Sequence, residues 1–208
     1  MIIREYGDPA ARVILVQPVG QHELPLIDDE IVQIGQMTDR PFRYLAVQVE
    51  NWNRDLSPWP APAVFGDEDF GDGAEALLEK ILPLCAEQDK DYIIGGYSLA
   101  GLFALWAGSQ SERFSAVAGV SPSVWFPGYG DYEQAHPIRA EHVYLSLGDR
   151  EEQTKNRAMA VVGNEIRALY ARLQTRKTDC ALEWNAGNHF REPERRVAKG
   201  VKWMLDSL

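Results

Sequence analysis

Gly95-Gly96-Tyr97-Ser98-Leu99-Ala100-Gly101 is the stretch from which the rest of this chain can be read. It follows the apolar run Tyr92-Ile93-Ile94, which reads as a strand, and leads into Leu102-Phe103-Ala104-Leu105-Trp106-Ala107, which reads as a helix. A serine that attacks a carbonyl must stand clear of the sheet edge, and a sharp strand-to-helix turn puts it there. Such a turn is crowded, and small residues two before (Gly96) and two after (Ala100) relieve the crowding. The start of the helix then aims backbone N–H groups and a partial positive charge at a developing oxyanion. Ser98 is therefore the expected nucleophile and Leu99 N–H the expected first oxyanion donor. The usual pattern is G-x-S-x-G; here Ala100 replaces its final glycine, with Gly101 just after. The bland alternative is a helix capped by Ser98, with glycines easing its packing.

An activated serine needs a base, itself oriented by a carboxylate. The chain has four histidines. His22 follows the first strand's turn, His136 precedes a proline in an aromatic loop, and His142 starts a strand. His189 lies in Trp184-Asn185-Ala186-Gly187-Asn188-His189-Phe190, between the last expected strand and the last helix, and is the expected base. The acid belongs between Ser98 and His189, in Ser146-Leu147-Gly148-Asp149-Arg150-Glu151-Glu152. Glu151 is favoured, with Asp149 as the alternative; Asp149 could instead cap a helix and Glu152 sit in its first turn. A second oxyanion N–H should come from the turn after the first strand, from Val19, Gly20 or Gln21, with no sequence reason to choose among them.

Outward from these segments, short β-type runs alternate with amphipathic helical ones. Strands are expected at Arg12–Gln17, Arg43–Val49, Asp91–Gly95, Phe114–Val120, His142–Leu147 and Ala181–Trp184. Helices are expected at Ile27–Met37, Ala74–Gln88, Leu99–Gly108, Thr154–Leu173 and Pro193–Leu208. This alternation implies an α/β fold, a doubly wound and mostly parallel sheet with helices on both faces. Two segments break the pattern: Asn51–Gly73, with Trp52 and Trp59, and Ser121–Pro137, with Trp125 and Phe126. Long aromatic loops usually roof or line a site. Those four aromatics, together with Tyr97, are the expected substrate contacts in a partly apolar, shallow pocket; packing the loops onto the core is the alternative use, and a homodimer contact would employ them equally well.

The 208 residues suit one domain spanning 1–208. A formal charge of -10 disfavours nucleic acid and membrane surfaces as partners, and solubility is its plainest reading. No signal-peptide pattern opens the chain and no apolar run is long enough to span a bilayer, so a cytoplasmic protein is expected, with Cys85 and Cys180 as free, buried thiols. Gly66–Gly73 looks like a calcium loop, but Asp72 occupies the position where that loop requires glycine. No metal or cofactor motif is present.

In Gly96–Gly101, Ser121-Pro122-Ser123-Val124-Trp125, Leu147–Glu151 and Gly187-Asn188-His189 the chain resembles the α/β-hydrolases. The resemblance is to the esterase branch that includes S-formylglutathione hydrolase (esterase D), feruloyl esterases and siderophore trilactone esterases. The chain order serine, acid, histidine agrees with that fold. The resemblance covers the chain from about residue 90 onward and implies a nucleophile at Ser98, an acid around Glu151, a base at His189 and Trp125 as a pocket wall. It implies a small-molecule ester or thioester as substrate, without naming the molecule; the absence of cofactor motifs leaves no cofactor expected, and no segment is long enough for a separate lid domain. An acyltransferase with the same triad, or a non-catalytic binding module on this fold, are the rival expectations.

Overall fold

In the computed structural model, which describes residues 2–208, seven strands form one sheet. They are β1 (Ile2–Gly7), β2 (Val13–Val19), β3 (Phe42–Gln48), β4 (Asp91–Tyr97), β5 (Ala116–Val120), β6 (His142–Gly148) and β7 (Asp179–Asn185), in the order β1-β3-β2-β4-β5-β6-β7. β2 to β7 run parallel, and β1 pairs antiparallel with β3 at one edge. The helices are α1 (Ile27–Met37), α2 (Trp52–Asp55), α3 (Ala74–Ile81), α4 (Leu99–Gln110), α5 (Tyr129–Ala135), α6 (Val162–Thr175) and α7 (Pro193–Ser207).

Parallel strands covered on both faces need apolar residues on both sides. Successive residues of β2 show this: Ile14 and Val16 join one core, Leu15 the other. The first core is closed by α3, α4 and α6, through residues such as Leu78, Leu105 and Leu169. The second is closed by α1 and α7, through Ile34, Val197 and Met204. α4 is buried from Leu99 to Ser109, which is why its sequence is apolar all round. The expected doubly wound sheet is present, and its parallel strands all end at the edge where Ser98 sits.

Several element boundaries differ from expectation for identifiable reasons. β1 is an added strand: its residues are mostly exposed, so they carry no burial pattern, and Glu5 on β1 instead meets Arg43 on β3 at 2.9 and 3.0 Å. The helix expected to reach Gln88 stops at Ile81 and tightens into a 3-10 turn over Leu82–Cys85. Pro83 has no N–H to continue the α-helical ladder. The helix expected from Thr154 starts at Val162, because the Asn156 side chain accepts from Ala158 N at 3.1 Å and holds the preceding residues in turns. The second long loop contains α5, anchored by the buried Glu133 to Arg172 of α6 and to Arg176 just beyond its end. Both cysteines are free, Cys85 buried and Cys180 half-buried.

Candidate active site

Ser98 stands between β4 and α4 with φ 58° and ψ -120°, a positive-φ conformation that a non-glycine residue adopts only under constraint. Its hydroxyl caps no helix N–H, so the capping role is not the one it plays. The backbone of the turn is tied on both sides: Ser98 N donates to Val120 O at 3.1 Å, and Ser98 O accepts from Ser123 N at 3.0 Å. A side chain at Gly96 would place its Cβ 2.6 Å from the carbonyl carbon and oxygen of Ala100, so the turn leaves no space for one.

His189 reaches this serine from the β7–α7 loop. Its Nε2 lies 2.9 Å from Ser98 Oγ and its Nδ1 2.7 Å from Glu151 Oε2. The loop is shaped by Gly187, whose φ of +105° suits only glycine, and is tied to the β6 loop. There Asp149 Oδ1 accepts from Gly187 N at 2.8 Å and Arg150 N donates to Gly187 O at 3.1 Å. Tyr97 OH donates to His189 O at 2.5 Å. Of the three candidate acids, only Glu151 meets the histidine. Asp149 holds the loop backbone, and Glu152 points away to Arg167 in a two-bond ion pair at 2.9 and 3.0 Å.

Glu151 uses both oxygens. While Oε2 faces His189, Oε1 accepts from Ser121 Oγ at 2.7 Å, Gly148 N at 2.7 Å and Arg196 Nη1 at 2.8 Å. Burial works to raise the pKa of this carboxyl, but the bonds from His189, Ser121 and Gly148 outweigh it and hold Glu151 below the usual glutamate range. Glu151 is thus an ionised acceptor fixed against the imidazole.

Arg196 is the residue that sequence reasoning missed. It is 2% exposed on α7 and, besides Glu151, donates to Ser121 Oγ at 3.1 Å and to Asn188 O at 2.8 Å. One guanidinium therefore spans the acid, the Ser121 turn and the histidine loop. The available signal was its position four residues before Gly200, on the buried face that also carries Val197, Val201 and Met204. An arginine there needs buried partners.

Among the three expected second oxyanion donors, Gly20 is excluded: its N–H donates to Glu23 Oε2 at 2.9 Å. Val19 is the last residue of β2, and its carbonyl accepts from Val49 N. The N–H groups of Gln21 and Leu99 have no protein acceptor among the described residues.

Ser98 opens into a cleft of about 700 Å³, lined in part by Trp52, Tyr97, Trp125 and Met159. A second hollow of about 390 Å³ continues from it past Trp125 and Phe190 toward Val162. Three of the expected aromatic contacts, Tyr97, Trp52 and Trp125, thus line the cleft. Phe126 does not: it is 1% exposed and packs edge-on against Phe70 and Trp59. Trp59 is likewise a packing residue, its Nε1 donating to Pro127 O at 2.8 Å. His22 stands edge-on to Trp52 and joins the cleft wall. Phe190, which drew no attention in the sequence, is 85% exposed at the cleft mouth. Among the described residues no cluster of three or more His, Cys, Asp or Glu side chains is arranged to hold a metal ion, and no helix is long and apolar enough to cross a membrane.

No protein-family model matches the chain, and no curated protein matches it. Solved structures do. The siderophore hydrolase EstA from Aspergillus nidulans superposes with a TM-score of 0.69 at 15% identity, over 99% of this chain and 89% of that one. The enterochelin esterase from Shigella flexneri gives 0.68 at 22%, over 99% of this chain but 54% of its own, so the present chain spans about half of that protein. FphF, a fluorophosphonate-binding serine hydrolase from Staphylococcus aureus, gives 0.63 at 8%, over 98% and 97%. At these identities the likeness establishes the fold: this is an α/β-hydrolase fold.

Proposed function

We propose that the protein is a serine hydrolase that cleaves carboxylic esters or thioesters of small molecules through an acyl-enzyme. The observation that carries this reading is the unbroken relay from Ser98 Oγ to His189 Nε2 at 2.9 Å and from His189 Nδ1 to Glu151 Oε2 at 2.7 Å. It stands at the end of a strained strand-to-helix turn. The names of the structural neighbours, two of them esterases or siderophore hydrolases and one a serine hydrolase, support the same reaction class.

In this mechanism Ser98 Oγ bonds to the substrate carbonyl carbon while its proton passes to His189 Nε2. The carbonyl oxygen takes up negative charge and is met by Leu99 N–H, at the start of α4, and by Gln21 N–H. Collapse of this intermediate breaks the bond to the leaving alcohol or thiol, which receives the proton from His189. Water then gives its proton to His189 and attacks the acyl carbon, and the carboxylic acid departs as Ser98 regains its proton. Glu151 stays ionised throughout and stabilises the imidazolium formed in each half-reaction. All of these groups come from one chain, and the site needs no cofactor for this chemistry.

A fluorophosphonate probe tests the assignment directly. The wild-type protein is expected to be labelled and to hydrolyse 4-nitrophenyl acetate, with both lost in Ser98→Ala. A folded wild type that takes no label and turns over no ester would defeat the proposal.

A further inference from the structure

Two hollows meet at His189, and the chemistry above gives a use to only one of them. Ser98 belongs to the wall of the larger, about 700 Å³, whereas His189 belongs to the walls of both. The smaller, about 390 Å³, is bounded by the Ser121–Trp125 turn, the β6–α6 segment and the β7–α7 loop. It takes no residue from the β2–α1 turn that carries Gln21, so it lies on the histidine side of Ser98, away from the oxyanion donors. Its body is apolar, formed by Trp125, Met159, Val162 and Phe190. Trp125 is a fixed wall, held by Phe65 and Phe70 at ring separations of 6.3 and 6.1 Å. Phe190 is the opposite case. It is 85% exposed, the most exposed large hydrophobic side chain among the described residues, and stands edge-on to the His189 ring at 5.4 Å. A lone exposed hydrophobe is ordinary. One that continues an apolar hollow beside a reactive serine is part of a patch, and such patches mark binding sites.

Ester chemistry decides which part of a substrate comes to this hollow. When the tetrahedral intermediate collapses, the departing oxygen takes its proton from His189 Nε2, so the alcohol part lies on the histidine side. The carbonyl oxygen faces Leu99 N–H and Gln21 N–H, and the acyl chain is left to the larger cleft. We propose that the smaller hollow is the leaving-group subsite and selects esters of aromatic alcohols, whose ring packs between Trp125 and Phe190 against Met159. This selectivity rests on the hydrolase reading given above. The hollow has the volume for a ring-sized group. Two aromatic walls offer such a ring edge and tilted contacts, and the flexible thioether of Met159 adapts to its outline. A ring seated there also covers Phe190 and removes its apolar surface from water.

The isomers benzyl acetate and methyl phenylacetate provide the test, because they contain the same atoms and carry the ring on opposite sides of the carbonyl. For each, kcat/KM is divided by that for methyl acetate and corrected for the same ratio in alkaline water. In wild type the benzyl acetate ratio is expected to reach about tenfold or more, the scale of discrimination by an apolar pocket. Gln153 is exposed and lines only the smaller hollow, so Gln153→Trp narrows that hollow alone. It is expected to bring the benzyl acetate ratio toward one and to lower the methyl phenylacetate ratio by no more than about twofold. Because each readout is a ratio, a general loss of activity cancels. A benzyl acetate ratio near one in wild type, or a loss in Gln153→Trp that falls on methyl phenylacetate instead, would overturn the proposal. If Gln153→Trp does not fold, Phe190→Ala takes its place, since trimming so exposed a side chain removes no core packing. The benzyl acetate ratio is then expected to drop several-fold, and an unchanged ratio counts against the subsite. Ligand-observed NMR titration of Ser98→Ala separates this proposal from the hydrolase reading. If wild type turns over no ester and takes no fluorophosphonate, the hydrolase assignment fails alone. Binding of benzyl acetate over methyl acetate by Ser98→Ala, weakened when Gln153→Trp is added, still upholds the subsite, and no such preference sinks it.

Discussion

At the level of single residues, the demands of the proposed chemistry made Ser98, His189 and Glu151 legible. A nucleophile, a base and an acid are restricted to few residue types, and each stands in a loop whose place follows from the strand before it. The distances make a sharp prediction about the acid. Glu151→Gln keeps the shape but removes the charge that stabilises the imidazolium, and is expected to lower kcat by roughly 10³–10⁴-fold. Asp149→Asn keeps an oxygen for Gly187 N and is expected to cost less than tenfold by comparison. Steady-state rates on one chromogenic ester decide between them, and comparable losses would show that the two loops act as one unit. Arg196 could not be read in the same way, since its partners come from loops remote in sequence. Its positive charge opposes the imidazolium, so in the proposed reaction its role is positional: it occupies Oε1 and leaves Oε2 to the histidine. Arg196→Met is expected to cost about 3 kcal/mol of stability, as for a broken buried pair. It should also lower kcat roughly tenfold to a hundredfold with little change in KM, as when a catalytic group is misplaced. Arg196→Lys should recover part of kcat. An unchanged kcat in a folded Arg196→Met protein would reduce the residue to a structural one.

Among the elements, those that matter for the site were the most legible, and the reason is burial. β4 and α4 are enclosed by the rest of the protein, so their sequences carry continuous apolar runs joined by the Gly96–Ala100 turn. β1 and α5 were missed because what holds them is pairwise and long-range: Glu5 with Arg43, and Glu133 with Arg172 and Arg176. Neither arrangement imposes a period on the local sequence. The start of α6 was hidden for a related reason, since the Asn156 turn also donates to Val64 O across the cleft loops, a contact 92 positions away in the chain. The strand-to-helix turn itself yields a test. In Gly96→Ala the new methyl would meet the Ala100 backbone at 2.6 Å, and backbone cannot swing aside as a side chain can. The variant is expected to lose about 1–3 kcal/mol, the usual cost of overpacking, and to label slowly with fluorophosphonate because Ser98 is displaced. A denaturant midpoint and labelling rate both equal to wild type would mean that the turn has more room than its geometry indicates.

For the molecule as a whole, the acidic composition reads differently once the fold is known. From sequence the charge of -10 is most simply a solubility feature, yet Glu23 and Glu30 place part of the acidity in the cleft wall. Composition reports how many carboxylates exist and is silent on which of them the fold buries. Two opposing pH effects on stability follow. Glu151, held below the usual range, contributes stability at neutral pH that is lost as the solution becomes acidic enough to protonate it in the fold. Glu30 acts in the reverse sense. Its carboxyl is raised from 4.5 to about 8, so between those values the folded state holds a proton that the unfolded chain has released. That contribution is full below pH 4.5 and disappears as pH rises through 8, and Glu23, raised to about 7, adds to it over the lower part of the same window. Burial is the main cause of that rise, the acids Glu23 and Glu194 add to it, and hydrogen bonds to the Tyr44 hydroxyl and the Gln17 amide offset only part of it. One fully linked proton is worth about 1.4 kcal/mol per pH unit, or roughly 3–5 °C in Tm for a domain of this size. Wild type is therefore expected to melt several degrees lower at pH 8 than at pH 6, and Glu30→Gln, which has no proton to lose, to show a clearly smaller drop over the same interval. Parallel melting curves for the two proteins across that interval would mean that Glu30 titrates as an ordinary surface carboxylate, in contact with bulk water and not buried against α1 and β2.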